Sequence, residues 1–236
     1  MSIDKCPICE KNNFSKLITT TDYSKSKELF DIVSCETCDF TITNPRPSSN
    51  KISDYYKSEM YISHTNSKKG LFNILYQIIR KYTVKKKRVL LESVSNKRNH
   101  LDIGCGTGEF LNECQKNGFN VTGIEPSSVA KENATKNFNL KIYTDLFASD
   151  LKSNSYDSIS MWHVLEHVYD LNKTILKINS LLSNNGKVII AVPNHKSWDA
   201  LYYNKYWAAW DVPIHLWHFT RKSVASIFHK HGFKLI

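Results

Sequence analysis

The sequence predicts an α/β fold, a parallel sheet covered by helices on both faces, preceded by a small cysteine-bearing segment. Three observations predict it. From His100 onward, short apolar runs alternate with helix-length stretches, the pattern of repeated strand–helix units. The first run, Leu101-Asp102-Ile103, breaks into Gly104-Cys105-Gly106-Thr107-Gly108 where a helix should begin, and the next, Val121 to Ile124, ends on Glu125. Two Cys-x2-Cys pairs, Cys6/Cys9 and Cys35/Cys38, stand outside that alternation.

In chain order, the cysteine pairs come first. Each Cys-x2-Cys puts two sulfurs on one tight turn, and four thiolates suit tetrahedral zinc with no open position, hence a structural metal. Asn44-Pro45-Arg46-Pro47 closes this zinc-ribbon-like segment, residues 1–45, with an extended stretch. Tyr55-Tyr56, Met60-Tyr61 and His64 follow, and from Leu71 the apolar residues Leu71, Leu75, Ile78, Ile79 and Tyr82 recur at helical spacing. Lys85 to Arg88 continues that helix or starts the next, so residues 46–98 read as an extended and helical connector or lid. In residues 99–236, strands are predicted at 101–103, 120–124, 141–144, 155–162 and 187–192. Helices are predicted at 109–117, 127–137, 171–183 and 221–231, the last ended by Gly232.

A length of 236 residues with 41% hydrophobic content suits one α/β domain plus a small appendage. The N-terminus carries no apolar signal core, and no apolar run approaches the roughly 18 residues of a membrane span, so the chain reads as cytoplasmic. There its six cysteines are read as thiols or metal ligands rather than disulfides. The net charge is +10, and residues 68–98 hold ten Lys/Arg against the single Glu92, a local balance of +9. Such a segment attracts nucleic acid, an anionic membrane or a phosphorylated substrate, or forms only a solvated helix face.

A glycine turn followed by an acid at the next strand end is the layout of a nucleotide-type cofactor site. Glycines let the backbone approach the ligand, and the acid hydrogen-bonds ribose hydroxyls. A dinucleotide fingerprint starting at Gly104 needs a third glycine at position 109, where Glu109 stands. A carboxylate there would repel a pyrophosphate at the helix N-terminus. The D-x-G-x-G-x-G run with Glu125 instead resembles the glycine motif of class I S-adenosylmethionine-dependent methyltransferases, whose ligand is a sulfonium without phosphate. The resemblance implies a Rossmann-like sheet, with Gly104 and Gly106 giving close backbone approach and Asp102 near the methionine moiety. It implies Glu125 on the ribose, as its strand-end position also suggests, Asp145 near the adenine amino group, and Trp162 and His163 lining the pocket.

A second stretch extends the resemblance. Trp207 to Thr220 reads W-x-x-W-D-x-P-x-H-L-x-H-F-T, similar to a substrate-side loop in a bacterial group of class I methyltransferases. Members of that group also begin with four cysteines, N-P-R-P and a Tyr-Tyr stretch, so the resemblance runs from Cys6 to Phe233. The group includes sugar C-methyltransferases, whose extra C-terminal domain this sequence lacks. The chain stops at Phe233–Ile236 as a sixth strand begins, so the terminal hairpin of the fold reads as truncated. The resemblance implies methyl transfer to a small molecule, a sugar or related metabolite of glycan or natural-product assembly. The alternatives are an RNA-directed methyltransferase and a non-catalytic cofactor-binding module. His215 and His218, with near-neutral intrinsic pKa values, are the candidate bases for an oxygen or carbon acceptor, against a role in pinning the loop. Glu166 and His167, at an expected helix start, are read as a structural hydrogen-bonded pair, and Cys105 and Cys114 as small core residues.

Overall fold

A computed structural model describes residues 1–56 and 71–236, with no side chains described for 71–75. Met60, Tyr61, His64, Lys68 and Lys69, singled out above, lie outside the described residues. The described chain forms two compact units, one of residues 1–56, 163–176 and 192–236, the other of 71–162 and 177–191. The cysteine segment therefore does not stand apart from the C-terminal fifth of the chain. Residues 192–236 belong to the same unit.

The first unit is built on a four-stranded antiparallel sheet of order β1-β2-β3-β9, with β1 at Phe14–Thr21, β2 at Leu29–Cys35, β3 at Thr41–Thr43 and β9 at Trp217–His218. Thr41 pairs with His218 and Ile42 with Trp217. Burial explains so long-range a pairing. Phe40 is fully buried, its ring 6.0 Å from that of Trp217 and 5.6 Å from that of Phe219. Arg46 lies across Tyr169 and Trp217, its guanidinium carbon 4.4 and 4.7 Å from the ring centres, and one of its N–H groups donates to the Tyr169 carbonyl. A second apolar group joins Ile32 to Ala200, Trp207, Trp210 and Val212. The aromatic stretch beyond residue 192, for which no secondary structure was anticipated, begins with the short helix α5, Trp198–Tyr203. Helix α6, Arg221–Lys230, starts with a capping box in which Thr220 and Ser223 each accept a hydrogen bond from the other's backbone N–H.

The second unit carries the parallel sheet, of order β6-β5-β4-β7-β8, every pairing parallel. Its strands are β4 Asn99–Ile103, β5 Asn120–Ile124, β6 Ile142–Tyr143, β7 Tyr156–Trp162 and β8 Leu182–Ala191. The helices are α1 Leu71–Val94, α2 Glu109–Lys116 and α3 Ser128–Phe138, and α4, Leu171–Leu181, leads into β8. The chain runs outward from β4 through β5 to β6, then returns to the other side of β4 for β7 and β8. That reversal beside β4 is the switch point at which open α/β sheets bind ligands, at the carboxyl ends of their strands. Residues 71–94 form one continuous helix, which settles whether Lys85 to Arg88 continues the helix begun at Leu71. Strand β8 starts five residues earlier than expected, because Leu182 already pairs with Tyr156 before an irregularity in register. The α1–α2–β5 core packs Leu91, Cys105, Phe110, Leu111, Cys114 and Val121 together, and burial pushes both the Cys105 and Cys114 thiols up. They are inert core residues. Residues 233–236 form no strand, and no described helix is long and apolar enough to cross a membrane.

Candidate active site

The glycine turn is held from two sides. The N–H groups of Gly104 and Cys105 donate to the Ile124 carbonyl at 2.8 and 3.0 Å, and Gly106 N–H donates to Glu125 Oε2 at 2.8 Å. Glu125 Oε1 accepts from Ser127 N–H at 2.9 Å, and Ser127 in turn caps α3 by accepting from Ala130 N–H. Glu125 thus organises the ends of both strands while each oxygen retains a lone pair for a ligand hydroxyl. Gly104, Gly106 and Gly108 all have positive φ, at 73°, 54° and 83°, the left-handed region in which a side chain is strained. A Cβ on Gly106 would meet nothing within 4 Å, whereas one on Gly108 would come within 2.6 Å of Leu140 Cδ1 and 2.9 Å of Ala134 Cβ. Gly106 therefore borders open space, and Gly108 exists to let α2 approach α3. The open cradle at Gly106 and the spare acceptors on Glu125 fit a cofactor bearing a ribose.

Asp102 sits one residue before the end of β4, 2% exposed, and accepts from Ser160 Oγ on the neighbouring β7. Ser160 also meets His100 Nε2 at 3.1 Å, and Ser158 meets His100 Nδ1 at 2.8 Å. A buried polar row, His100–Ser158 and Ser160–Asp102, therefore crosses the two central strands. Burial pushes Asp102 up to about 7, against the opposing pull of the Ser160 hydroxyl and Lys87. It pushes His100 down to about 3. Lys87, half-buried, lies 4.5 Å over the Trp162 ring and pulls on the Asp102 carboxyl, so an ammonium and an indole stand near that carboxyl at the ends of β4 and β7. Sequence reasoning did not reach Lys87. Its position on a polar helix face gave no sign of burial. Glu109 at the start of α2 is paired with Arg80, and Thr107 Oγ1 donates to it at 2.7 Å. Asp145 is exposed, and its Oδ1 accepts from Phe147 N–H at 3.0 Å.

The first unit holds the other anticipated residues. His163 follows β7 directly, its side chain 65% exposed and its φ positive. Residues Leu165–His167 form a 3-10 turn rather than the start of α4. Leu216 N–H donates to the Glu166 carbonyl at 2.8 Å, and this bond brings His215 beside Glu166 and His167. The rings of His167 and His215 stand 4.6 Å apart, nearly perpendicular, and one ligand atom from each of Glu166, His167 and His215 lies within 4.8 Å of the others. Burial and the neighbouring His215 hold His167 down to about 4. Glu166 is 1% exposed and neither carboxylate oxygen has a hydrogen-bond partner among the described residues. The hydrogen-bonded structural role expected for Glu166 is therefore not what its carboxylate does. His218 is enclosed differently. Its Nε2 lies 2.9 Å from Thr43 Oγ1, and burial pushes its pKa well below the ordinary range.

The four cysteines converge. Cys6 Sγ lies 3.5 Å from Cys38 Sγ and Cys9 Sγ 3.4 Å from Cys35 Sγ, all four within 4.8 Å of one another. Each knuckle closes through the same bond, Glu10 N–H to Cys6 O and Asp39 N–H to Cys35 O, with Glu10 and Asp39 left-handed. Sulfurs bound at about 2.3 Å around a tetrahedral zinc stand about 3.8 Å apart, so the donor set and spacing fit that ion. Burial, and then Cys6 and Cys9 beside it, push the Cys38 thiol up, as expected where thiols crowd together without a cation.

A protein named ubiquinone biosynthesis O-methyltransferase from Rickettsia canadensis is 35% identical over 136 residues, 54% of this chain and 57% of that protein. Its namesake in Rickettsia felis is 33% identical over 139 residues, 54% of this chain and 55% of that one. The chain thus spans little more than half the length of these curated relatives. Among solved structures, a SAM-dependent methyltransferase from Archaeoglobus fulgidus superposes with a TM-score of 0.55 at 20% identity, over 70% of this chain and 75% of that one. One from Thermotoga maritima gives 0.53 at 19%, over 68% and 78%. At these identities the likeness shows the fold, a Rossmann-like methyltransferase sheet flanked by helices. The family described as a methyltransferase domain matches residues 74–236, a span that holds the switch-point strand, the glycine turn and Glu125, and the chain belongs to that family.

Proposed function

We propose that this chain is an S-adenosylmethionine-dependent methyltransferase acting on a small molecule, with a sugar or related metabolite as the acceptor class. One observation carries the reading: the open cradle at Gly106 beside a Glu125 carboxylate that has spare acceptors, at the carboxyl ends of adjacent parallel strands. When bound, the cofactor supplies an electrophilic methyl group on sulfur. Gly104 and Gly106 give it backbone approach, Glu125 takes the ribose hydroxyls, and Asp102 faces the amino-acid end. Trp162 offers an aromatic face that favours cations, with His163 and Asp145 as further contacts. Much of the catalysis is then positioning.

An oxygen acceptor also has to lose a proton. The Glu166–His167–His215 cluster is the proposed place for that, through the lone pair on His215 Nε2, since His215 Nδ1 lies 2.8 Å from the Ala209 carbonyl and donates to it. The relatives named O-methyltransferases support an oxygen acceptor. His218, hydrogen-bonded to Thr43 across β3 and β9, is assigned to holding the loop. Zinc on Cys6, Cys9, Cys35 and Cys38 is proposed as a structural ion. Against an RNA acceptor, four of the segment's cations are engaged within its own unit: Arg80 with Glu109, Arg88 with Glu92 and Glu113, Arg98 with Glu92, and Lys87 against Trp162.

The test has two stages. Calorimetry with S-adenosylmethionine should show binding to the wild-type chain, and absence of binding would sink the proposal. A panel of nucleotide sugars and phenolic metabolites incubated with methyl-labelled cofactor should then identify the acceptor. Label transferred to RNA and to no small molecule would overturn the acceptor class.

A further inference from the structure

We propose that Glu166, His167 and His215 form a binding site for a divalent first-row metal ion, separate from the four-cysteine site. The first support is the donor set: one carboxylate and two imidazoles whose ligand atoms lie within 4.8 Å of one another. Two histidines and a carboxylate are a recurrent catalytic set for zinc and for other first-row divalent ions, and they leave coordination positions open.

The second support is the state of Glu166. A carboxylate that is 1% exposed and has no hydrogen bond to either oxygen is costly to keep in a protein interior, because buried charges are paired or bind metals. His163 Nδ1 stands 3.5 Å from Oε1 without hydrogen-bonding to it, and is itself largely exposed. A cation held by Glu166 supplies the direct partner that His163, at 3.5 Å without a hydrogen bond, does not.

The third support is how the two imidazoles are held. His167 Nδ1 lies 3.1 Å from the Ile214 carbonyl and His215 Nδ1 lies 2.8 Å from the Ala209 carbonyl. Donation to the Ala209 carbonyl puts the proton on Nδ1 of His215 and leaves the lone pair on Nε2; His167 Nδ1 faces the Ile214 carbonyl and, at 3.3 Å, the Tyr56 hydroxyl, and donation to the carbonyl gives that ring the same tautomer. That is the tautomer of ligating histidines, whose second nitrogen is anchored by an outer-shell acceptor. Both carbonyls come from the same 209–216 stretch, tied to Glu166 by the Leu216 N–H bond. One loop therefore supplies one ligand, His215, and the carbonyls that face Nδ1 of both rings.

The consequence for substrate class rests on the methyl-transfer reading; the metal site itself does not. Three protein ligands leave room for a hydroxyl oxygen of the acceptor, and a bound cation lowers that hydroxyl's pKa. In that state the His215 Nε2 lone pair serves the cation rather than a proton, and the acceptor is an alcohol or phenol.

The site can be tested on the full chain, with zinc already on the cysteines and no methyl donor present. Mn2+ is the probe, because thiolates select softer ions while a carboxylate suits it. The free Mn2+ electron paramagnetic resonance signal should fall by one equivalent per chain on titration with wild type. Glu166→Gln and His215→Gln should each weaken binding at least about tenfold, with zinc content unchanged. Wild type that leaves all the Mn2+ free, or folded variants that bind as wild type does, would overturn the site. Should a variant fail to fold, pulsed resonance on the wild-type complex decides: nitrogen couplings from imidazole are expected, and their absence rules the site out. A failed methyl-transfer reading would look different, leaving S-adenosylmethionine unbound in calorimetry.

Discussion

The backbone N–H of Gly106 donates to Glu125 Oε2 at 2.8 Å, so the carboxylate proposed to hold a ribose also holds the turn that the ligand approaches. Removing it should therefore do two things. Glu125→Ala should weaken S-adenosylmethionine binding by about 1.5–3 kcal/mol for each charge-assisted hydrogen bond lost, roughly ten- to a hundredfold for one. It should also lower the unfolding midpoint, because Gly106 N–H and Ser127 N–H lose their acceptor. Calorimetry and thermal unfolding read the two effects separately. Unchanged affinity in the variant would mean that another side chain holds the ribose.

Gly106 and Gly108 should separate binding from stability. A side chain at Gly106 enters open space, so Gly106→Val costs the fold only the strain of a left-handed backbone, about 1–2 kcal/mol. It should nevertheless abolish cofactor binding. Gly108→Ala drives a Cβ into Leu140 and Ala134 and should destabilise the fold by several kcal/mol, through strain and overpacking together. Equal loss of stability in the two variants, or intact binding in Gly106→Val, would contradict this division.

Asp102 and His100 give the second unit opposing pH dependences. Asp102 titrates at about 7 in the folded chain against an ordinary 3.8, so the folded state binds the proton more tightly. Its contribution is present below about pH 4 and is lost as pH rises toward 7. His100 is held down to about 3 from 6.5, so the unfolded state binds that proton more tightly and stability rises from about pH 3 to 6.5. Asp102→Asn removes the falling limb and leaves the rising one. The variant should therefore gain stability relative to wild type between pH 4 and 7, as measured by denaturant unfolding at fixed pH values. It should also bind S-adenosylmethionine more weakly if Asp102 faces the ligand's cationic end. Parallel stability curves for the two proteins would show that Asp102 titrates in the fold as it does in the unfolded chain.

Locally written features were legible in the sequence. The strands around Asp102 and Glu125, the helix of residues 221–230 and the glycine turn each follow from a run of neighbouring residues, and the structure has them within one or two positions. What was not legible depends on residues distant in the chain. Strand β9 is two residues long and pairs with Thr41 and Ile42, so no periodicity announces it. His218 therefore read as a candidate base on a loop rather than as a ring enclosed against Thr43. Glu166 read as part of a helix start because polar residues precede the apolar face of α4. The helix begins at Leu171, as its predicted bounds have it, and Glu166 lies on a separate 3-10 turn that the Leu216 bond holds beside the histidines. Lys87 lies in a run of four basic residues that looks solvated throughout, yet it is the one lying on Trp162.

The cysteine site makes the last prediction, because one knuckle precedes β1 and the other joins β2 to β3. Cys35 is the final residue of β2, and Cys6 is 1% exposed. With a tetrahedral zinc bound, four thiolates crowded within 4.8 Å are held by one ion, and the metal's binding free energy becomes folding free energy. Purified chain should contain one zinc on these cysteines. Cys35→Ser, or a strong chelator, should remove that zinc and release the β1–β2–β3 sheet to protease, with cleavage in residues 1–45. The parallel sheet has its own core around Leu91, Leu111 and Val121 and should retain its S-adenosylmethionine affinity within a few fold. Metal analysis that finds no zinc, with the N-terminal segment resistant to protease, would show that the four thiols pack without an ion. Zinc loss that abolishes cofactor binding as completely as it exposes the N-terminal segment would show instead that the two units depend on each other for folding.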